Sequence, residues 1–337
     1  VTTVLLEDNK TMLATYPKSH GGGSICLKRS TDGGLTWSDR LKVPDNWSTS
    51  REVPTIHGVI DPKGVKRLIL FSGLYPIRMS VSEDEGANWT PLAPIGDFGG
   101  VVAMASVERL KDGRYMAFFH DDGRFLTKDG MKNTPKATYL RKCVVYATVS
   151  SDGGLTWGRP RAIATHPTAY LCEPGAVRSP DGKQLALLLR ENSRRHNSFA
   201  IFSDDKGKTW TKPIELPAAL TGDRHTCRYA PDGRLVVVFR DTCRQSPTSG
   251  DFVAWIGTYD DIVSGREGQC RVRLMENHMG LKQRSRFDCG YPGLESLPDG
   301  TLAATTYGTW IEGQQPFIVS IRFKLKEIDH LAAKSRR

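Results

Sequence analysis

Apolar residues in this chain come in short runs of strand length, and a tight turn precedes almost every run. "PDGKQLALLLR" at Pro180, "PDGRLVVVFR" at Pro231 and "PDGTLAATTY" at Pro298 are the clearest cases. "EDNKTMLATY" at Glu7, "DPKGVKRLILFSG" at Asp61 and "KDGRYMAFFH" at Lys111 follow the same scheme. Proline presets φ, aspartate bonds to the turn backbone through its side chain, and glycine accepts positive φ, so each unit reads as a hairpin turn feeding a strand. Helical periodicity is confined to a short stretch near Ile328 to Ala333. The pattern predicts an all-β chain.

A second motif recurs between the hairpins. "STDGGLTW" starts at Ser30, "SEDEGANW" at Ser82, "SSDGGLTW" at Ser150 and "SDDKGKTW" at Ser203. Serine and aspartate side chains can bond to the turn backbone, glycine supplies a left-handed residue, and tryptophan gives a large apolar surface to wedge between sheets. The octapeptide therefore reads as a turn lock. Six hairpin units at a spacing near fifty residues predict a six-bladed β-propeller of four-stranded antiparallel blades. The expectation is one domain over residues 1–337, with a C-terminal tail from about residue 326 whose last residues, "AAKSRR", are solvated.

Both repeated motifs fall on one face of such a ring. Starts of first strands and ends of second strands fall on the other, near the axis. Counting outward from the turns places Tyr16, His120, Asp121, Arg190, Arg240 and Tyr307 there, together with Glu173, His225 beside Arg224, and Tyr291. Arg51 lies slightly further out. Apolar strands that end repeatedly in Arg, His, Tyr or carboxylate predict a polar, cationic pocket at the mouth of the axial channel. Arg240-Asp241 also suits an ion pair between blades. Asp121 opens the longest connection between a second and a third strand, which fits a binding loop or a cover.

Composition narrows the partners. Lys and Arg number 47 against 37 Asp and Glu, a net charge of +10, but they are scattered and no nucleic-acid motif accompanies them. An acidic glycan fits the charge as well. No run of eighteen apolar residues is present, so no membrane span is expected. Seven cysteines cannot all pair within the chain and none are spaced CxxC, so free thiols are expected and no metal site. No phosphate loop or dinucleotide fingerprint appears, and no cofactor is expected. The first residues lack Met and any signal-peptide pattern, which suits a processed chain, secreted or periplasmic with its signal segment already removed.

The S-x-D-x-G-x-T-W octapeptides are Asp boxes, and six blades bearing them resemble the sialidase (neuraminidase) superfamily along essentially the whole chain. "CGYPGLESLPDGTLAATTYG" is similar to the last-blade segment that carries the family's tyrosine nucleophile, which falls on Tyr291. "CEPGAVRSPDGKQLALLLRENSRRHNSFAIFSDDKGKTW" resembles the segment that supplies a glutamate and then an arginine for the substrate carboxylate, here Glu173 and Arg190.

The chemistry fits those residue types. A phenol is a weak nucleophile near its usual pKa of about 10, and a carboxylate must take its proton as it attacks. Arginine offers a planar fork for a carboxylate. The resemblance implies an arginine triad, with Arg240 and Arg244 the candidates for a further member and Arg51, His225, His120 and Asp121 as other contacts. The family's Arg-Ile-Pro element aligns just before Val1. Its acid on the loop before the first Asp box has no counterpart in "YPKSHGGGSICLKRS", where His20 is the available proton donor.

The resemblance thus implies an exo-acting glycoside hydrolase on a terminal acidic sugar, sialic acid by default. Alternatives on the same fold are another glycosidase, a lyase of uronate polysaccharide using His and Tyr, or a non-catalytic glycan-binding propeller.

Overall fold

A computed structural model describes residues 1–19, 22–126, 143–278 and 289–335. Six antiparallel sheets form the blades of a propeller. Their first strands are Thr2–Leu5, Thr55–Ile60, Val101–Arg109, Leu171–Arg178, Gly222–Tyr229 and Gly290–Ser296, for blades I to VI. Blades II to V have four strands, while blades I and VI have three among the described residues. Sequence pattern predicts four throughout. Fourth strands carry little pattern to read: Ala93–Pro94 and Ile214–Glu215 are two residues long and exposed.

Hydrogen bonds join adjacent blades all the way round. Thr2 in blade I donates to the Pro54 carbonyl, and His57 meets the Met104 carbonyl. Ser106 donates to the Pro174 carbonyl, Tyr229 to the Arg178 carbonyl and Thr226 to the Pro292 carbonyl. Thr3 donates to Glu295 at 3.1 Å and closes the ring between blades I and VI. Between the sheets lie apolar layers such as Phe71, Phe119 and Tyr146 for blades II and III, or Leu188, Val237 and Trp255 for blades IV and V. The layer between blades VI and I is thin, built on Val1, Ala14, Tyr16 and Cys26. A cleft of about 1080 Å³ opens there.

The Asp boxes are fasteners. In each box the serine oxygen accepts from the glycine N–H four residues on, at 2.8 Å. Trp89, Trp157 and Trp210 then donate through Nε1 to the carbonyl of that glycine. Their rings pack on the preceding blade: Trp157 meets Phe71 edge-on with centroids 5.7 Å apart, and Trp210 meets Phe118 at the same distance. Trp37 differs, because its Nε1 is buried with no partner among the described residues.

All seven cysteines are free thiols. The short helix expected near Ile328 to Ala333 is present and longer than expected, Leu325–Ser335. Leu325 and Ile328 pack into the layer between blades V and VI, and Asp329 pairs with Arg234 at 2.8 Å. Among the described residues no helix is long and apolar enough to cross a membrane.

Candidate active site

The first strands of blades III to VI each break register once, between Val101 and Ser106, Cys172 and Gly175, Asp223 and Thr226, and Gly290 and Gly293. A residue in the left-handed region sits within each break: Val102 (φ 50°), Glu173 (φ 48°), Arg224 (φ 54°) and Tyr291 (φ 51°). Such bulges re-aim side chains, and non-glycine residues hold this conformation only where surrounding packing enforces it. The packing here is tight. A Cβ on Gly175 would lie 2.2 Å from the His225 carbonyl oxygen, and one on Gly293 would lie 2.2 Å from Thr3 Oγ1. Glycine two residues after Glu173 and Tyr291 thus lets neighbouring first strands meet beside the axis.

Three of the four re-aimed residues carry chemistry, and they converge. The Tyr291 hydroxyl donates to Glu173 Oε1 at 2.6 Å, across 118 residues of chain. Arg190, from the end of the second strand Leu185–Glu191, donates to the same oxygen at 2.7 Å. Arg224 stands over the Tyr291 ring, its Cζ 5.7 Å from the centroid. Burial pushes the Glu173 carboxyl up, but Arg190 and the tyrosine hydroxyl more than offset this, and Glu173 is held below its ordinary value. Burial and the Glu173 charge push the Tyr291 phenol well above its ordinary value. At neutral pH the pair is a phenol bonded to a carboxylate.

A second cluster adjoins it. Asp223, in register opposite Arg240, receives that guanidinium through Nε at 2.9 Å and also through Nη2. Arg194 forks onto both Asp223 oxygens at 2.6 and 2.7 Å. Arg190 Nε lies 2.9 Å from Oδ1, an ion pair without hydrogen-bond alignment. Burial opposes the charge, yet Arg190 and Arg240 hold the Asp223 carboxyl far below its usual range. Arg190 also donates to Asn192 at 2.7 Å, so each of its nitrogens faces a protein oxygen.

The cleft between blades VI and I reaches this centre. Tyr291, Glu52, Tyr16 and Tyr307 line its inner part, with Lys18, Lys28 and Arg40 further out. Glu52 and Asp39 are the carboxyl groups among its described lining residues. Burial, reinforced by the nearby Glu173 charge, raises the Glu52 carboxyl above its ordinary value.

Other residues expected at the site take different places. His120 is buried and accepts from the Glu173 backbone N–H at 3.3 Å; burial lowers its pKa to about 4, so it is a neutral support. His225 is 1% exposed and its Nε2 bonds to the Leu220 carbonyl, which keeps its ring from the cleft. Asp121 accepts from Gly123, Phe125 and Leu126 N–H groups through Oδ2 and so anchors its own turn. Arg240 pairs with Asp223 and not with Asp241, because neighbouring strand residues point to opposite sides. Arg244 lines a separate pocket of about 260 Å³ with Arg194 and Arg195. Arg51 is exposed and outside the cleft lining, while its neighbour Glu52 is within it. His20, and the segment from residue 127 to 142, lie outside the described residues.

Sequence reasoning assigned nothing to Asp223, Arg194 or Glu52 and gave Arg224 no role. A signal for Arg224 exists: Glu173, Arg224 and Tyr291 each stand eight residues before a turn aspartate, Asp181, Asp232 and Asp299. The same count from Asp61 ends at Val53, next to Glu52.

Residues 80–303 match the family described as BNR repeat-like domain. The chain belongs to that BNR repeat-like family. It is 26% identical over 236 residues to a sialidase of Clostridium perfringens, covering 66% of this chain and 49% of that one. It is 23% identical over 270 residues to an anhydrosialidase of Macrobdella decora, covering 77% and 33%. The chain thus spans about half, or less, of the length of these relatives. Among solved structures, an α-L-arabinanase of Penicillium chrysogenum complexed with arabinobiose superposes with a TM-score of 0.63 at 17% identity, covering 97% of this chain and 93% of that one. These likenesses agree with the sialidase superfamily and its six-bladed propeller.

Proposed function

We propose that the chain is an exo-acting glycoside hydrolase that removes a terminal acidic sugar, with sialic acid the first substrate to test. The observation that carries this reading is the 2.6 Å hydrogen bond from Tyr291 to Glu173, beside a large cleft. Tyrosine nucleophiles belong to sialidases among glycosidases, because a neutral phenol approaches an anionic sugar without repulsion. The relatives named sialidase and anhydrosialidase support the same class, as do Lys18, Lys28 and Arg40 along the cleft. Near the axis stand two buried guanidiniums, Arg224 and Arg240, and two partly buried ones, Arg190 and Arg194, against the carboxylates of Glu173 and Asp223. That excess favours an anionic ligand.

In this reading Tyr291 Oη bonds to the anomeric carbon, its proton passes to Glu173 Oε1, and the glycosidic C–O bond breaks. The departing oxygen takes the proton of Glu52. Water then attacks the anomeric carbon and gives its proton to Glu52. The electron pair returns to Tyr291 Oη, and Glu173 returns the phenol proton.

The test is a screen of sugars released from mixed acidic glycans, with a methylumbelliferyl α-sialoside in parallel, for the wild type and Tyr291→Phe. Release of sialic acid that disappears in the variant is the expected result. Unimpaired turnover by Tyr291→Phe removes the nucleophile, and release of a neutral sugar alone removes the acidic substrate.

A further inference from the structure

Blades IV, V and VI each present one residue at the same bulge position, and the proposed reaction uses two of them, Glu173 and Tyr291. The third is Arg224. It is 2% exposed, and its only hydrogen bond among the described residues runs from Nη2 to the Ala105 carbonyl at 3.1 Å. Nη1 is buried with no partner among the described residues. Arg190, Arg194 and Arg240 are drawn to Asp223, whereas Arg224 stands apart from that cluster, over the Tyr291 ring. Among the ionisable groups around it are Glu173, Glu52 and Tyr291, with His57 and His120 kept neutral by burial. A buried cation lacking a full set of partners costs free energy. Its position makes sense where negative charge develops during reaction.

We propose that Arg224 is a positioning residue acting through Tyr291: it holds the ring face and stabilises the phenolate charge as the glycosyl–tyrosine bond forms and breaks. This rests on the reading of Tyr291 as nucleophile. A cation over an aromatic face is already attracted by the ring quadrupole, and the attraction grows once the ring carries charge in a site of low dielectric. Hydrolysis of the glycosyl–tyrosine depends on it most, because there the C–Oη electron pair returns to the phenol oxygen as leaving group. Glu173 then delivers the proton.

The experiment compares wild type, Arg224→Met, Arg224→Lys and Tyr291→Phe, using whichever methylumbelliferyl glycoside the wild type turns over. Arg224→Met should lower kcat about a hundredfold, the scale seen when a donor to developing negative charge is removed. KM should fall with it, and intact mass spectrometry during turnover should show the chain carrying one sugar. Arg224→Lys should recover much of kcat. The proposal is overturned if Arg224→Met keeps kcat within about threefold, or if kcat falls with KM unchanged or raised and no adduct forms. Should the Met variant not fold, Arg224→Gln replaces it under the same outcomes. An inactive Tyr291→Phe beside a normal Arg224 variant defeats this inference alone, while an active Tyr291→Phe defeats the nucleophile reading beneath it.

Discussion

Tyr291 and Glu173 meet at 2.6 Å although a whole blade lies between theirs, because each is the left-handed residue of a bulge eight positions before its turn aspartate. The propeller's repetition performs the convergence: one backbone device, used in successive blades, turns one side chain per blade toward the axis. Val102 is the left-handed residue of the blade III bulge, ten positions before Asp112, and adds no chemistry. The device depends on glycine at the tight contacts, so what brings the acid and the phenol together also packs the ring.

Asp223 is the acid that three guanidiniums share. Asp223 is 1% exposed and faces Arg190, Arg194 and Arg240, so Asp223→Asn keeps its shape while leaving three guanidiniums without that charge. Breaking a buried ion pair from one side costs about 3–5 kcal/mol. Urea unfolding at neutral pH should show a loss of this size. The sign with pH follows from the depressed Asp223 carboxyl: its contribution is present above the unfolded value of about 3.9 and disappears as pH falls through the lower folded value. Wild-type stability should therefore decline on acidification below about 4, and the Asn variant should decline less. Equal slopes for the two proteins would contradict the pairing.

Strand alternation explains what the sequence shows and what it hides. Counting from the turns finds Glu173, Arg190, Tyr291 and Arg240, because hairpin length fixes where a second strand ends. It fails for the partner of Arg240. Adjacency suggests Asp241, but alternation sends Asp241 to the other side, where it receives Ser246, Thr248 and Arg271. The true partner, Asp223, lies across the strand pair, one residue before the counted bulge position, and register across a bulge cannot be read from spacing alone. Glu52 escaped for a different reason. It precedes its first strand, and its importance comes from burial and from the cleft, both products of tertiary packing. The outer strands of blades II and IV are short, exposed and without pattern, so the four-strand expectation rested on the fold rather than on their residues.

Glu52 should show itself in pH dependence and in leaving-group dependence. Its carboxyl is raised by burial, so it holds its proton above the ordinary carboxylate range, whereas Glu173 is depressed and stays ionised below it. The proposed mechanism needs Glu173 charged and Glu52 protonated, which predicts a bell with its alkaline limb set by Glu52. Glu52→Gln should remove that limb and lower kcat/KM about 10²- to 10⁴-fold for a sugar-linked aglycone. A dinitrophenyl glycoside, whose leaving group needs no proton, should lose far less in its first step. Equal losses for both substrates would assign the proton to another group.

The Asp boxes call for the opposite outcome, stability without activity. Ser150 opposes Tyr115 at the start of the second strand of blade III, while Val144 opposes Asp121 at its far end, so the box and the candidate site lie at opposite ends of the sheet. Trp157 is 7% exposed, donates to the Gly154 carbonyl at 2.9 Å and packs on Phe71 of the preceding blade. Trp157→Ala should therefore cost about 3–5 kcal/mol, the usual range for a buried aromatic cut to alanine. The folded fraction should keep its kcat/KM, because no reacting group is touched. Trp37 belongs to the same motif but lacks the fastening bond, lies beside the cleft and packs only against the thin layer between blades VI and I. Trp37→Ala should thus cost less stability than Trp157→Ala and should change KM, since it alters the cleft wall. Denaturant midpoints and kinetics on the same preparations decide it: if the two substitutions behave alike, the first box is a fastener like the rest and its tryptophan has no part in the cleft.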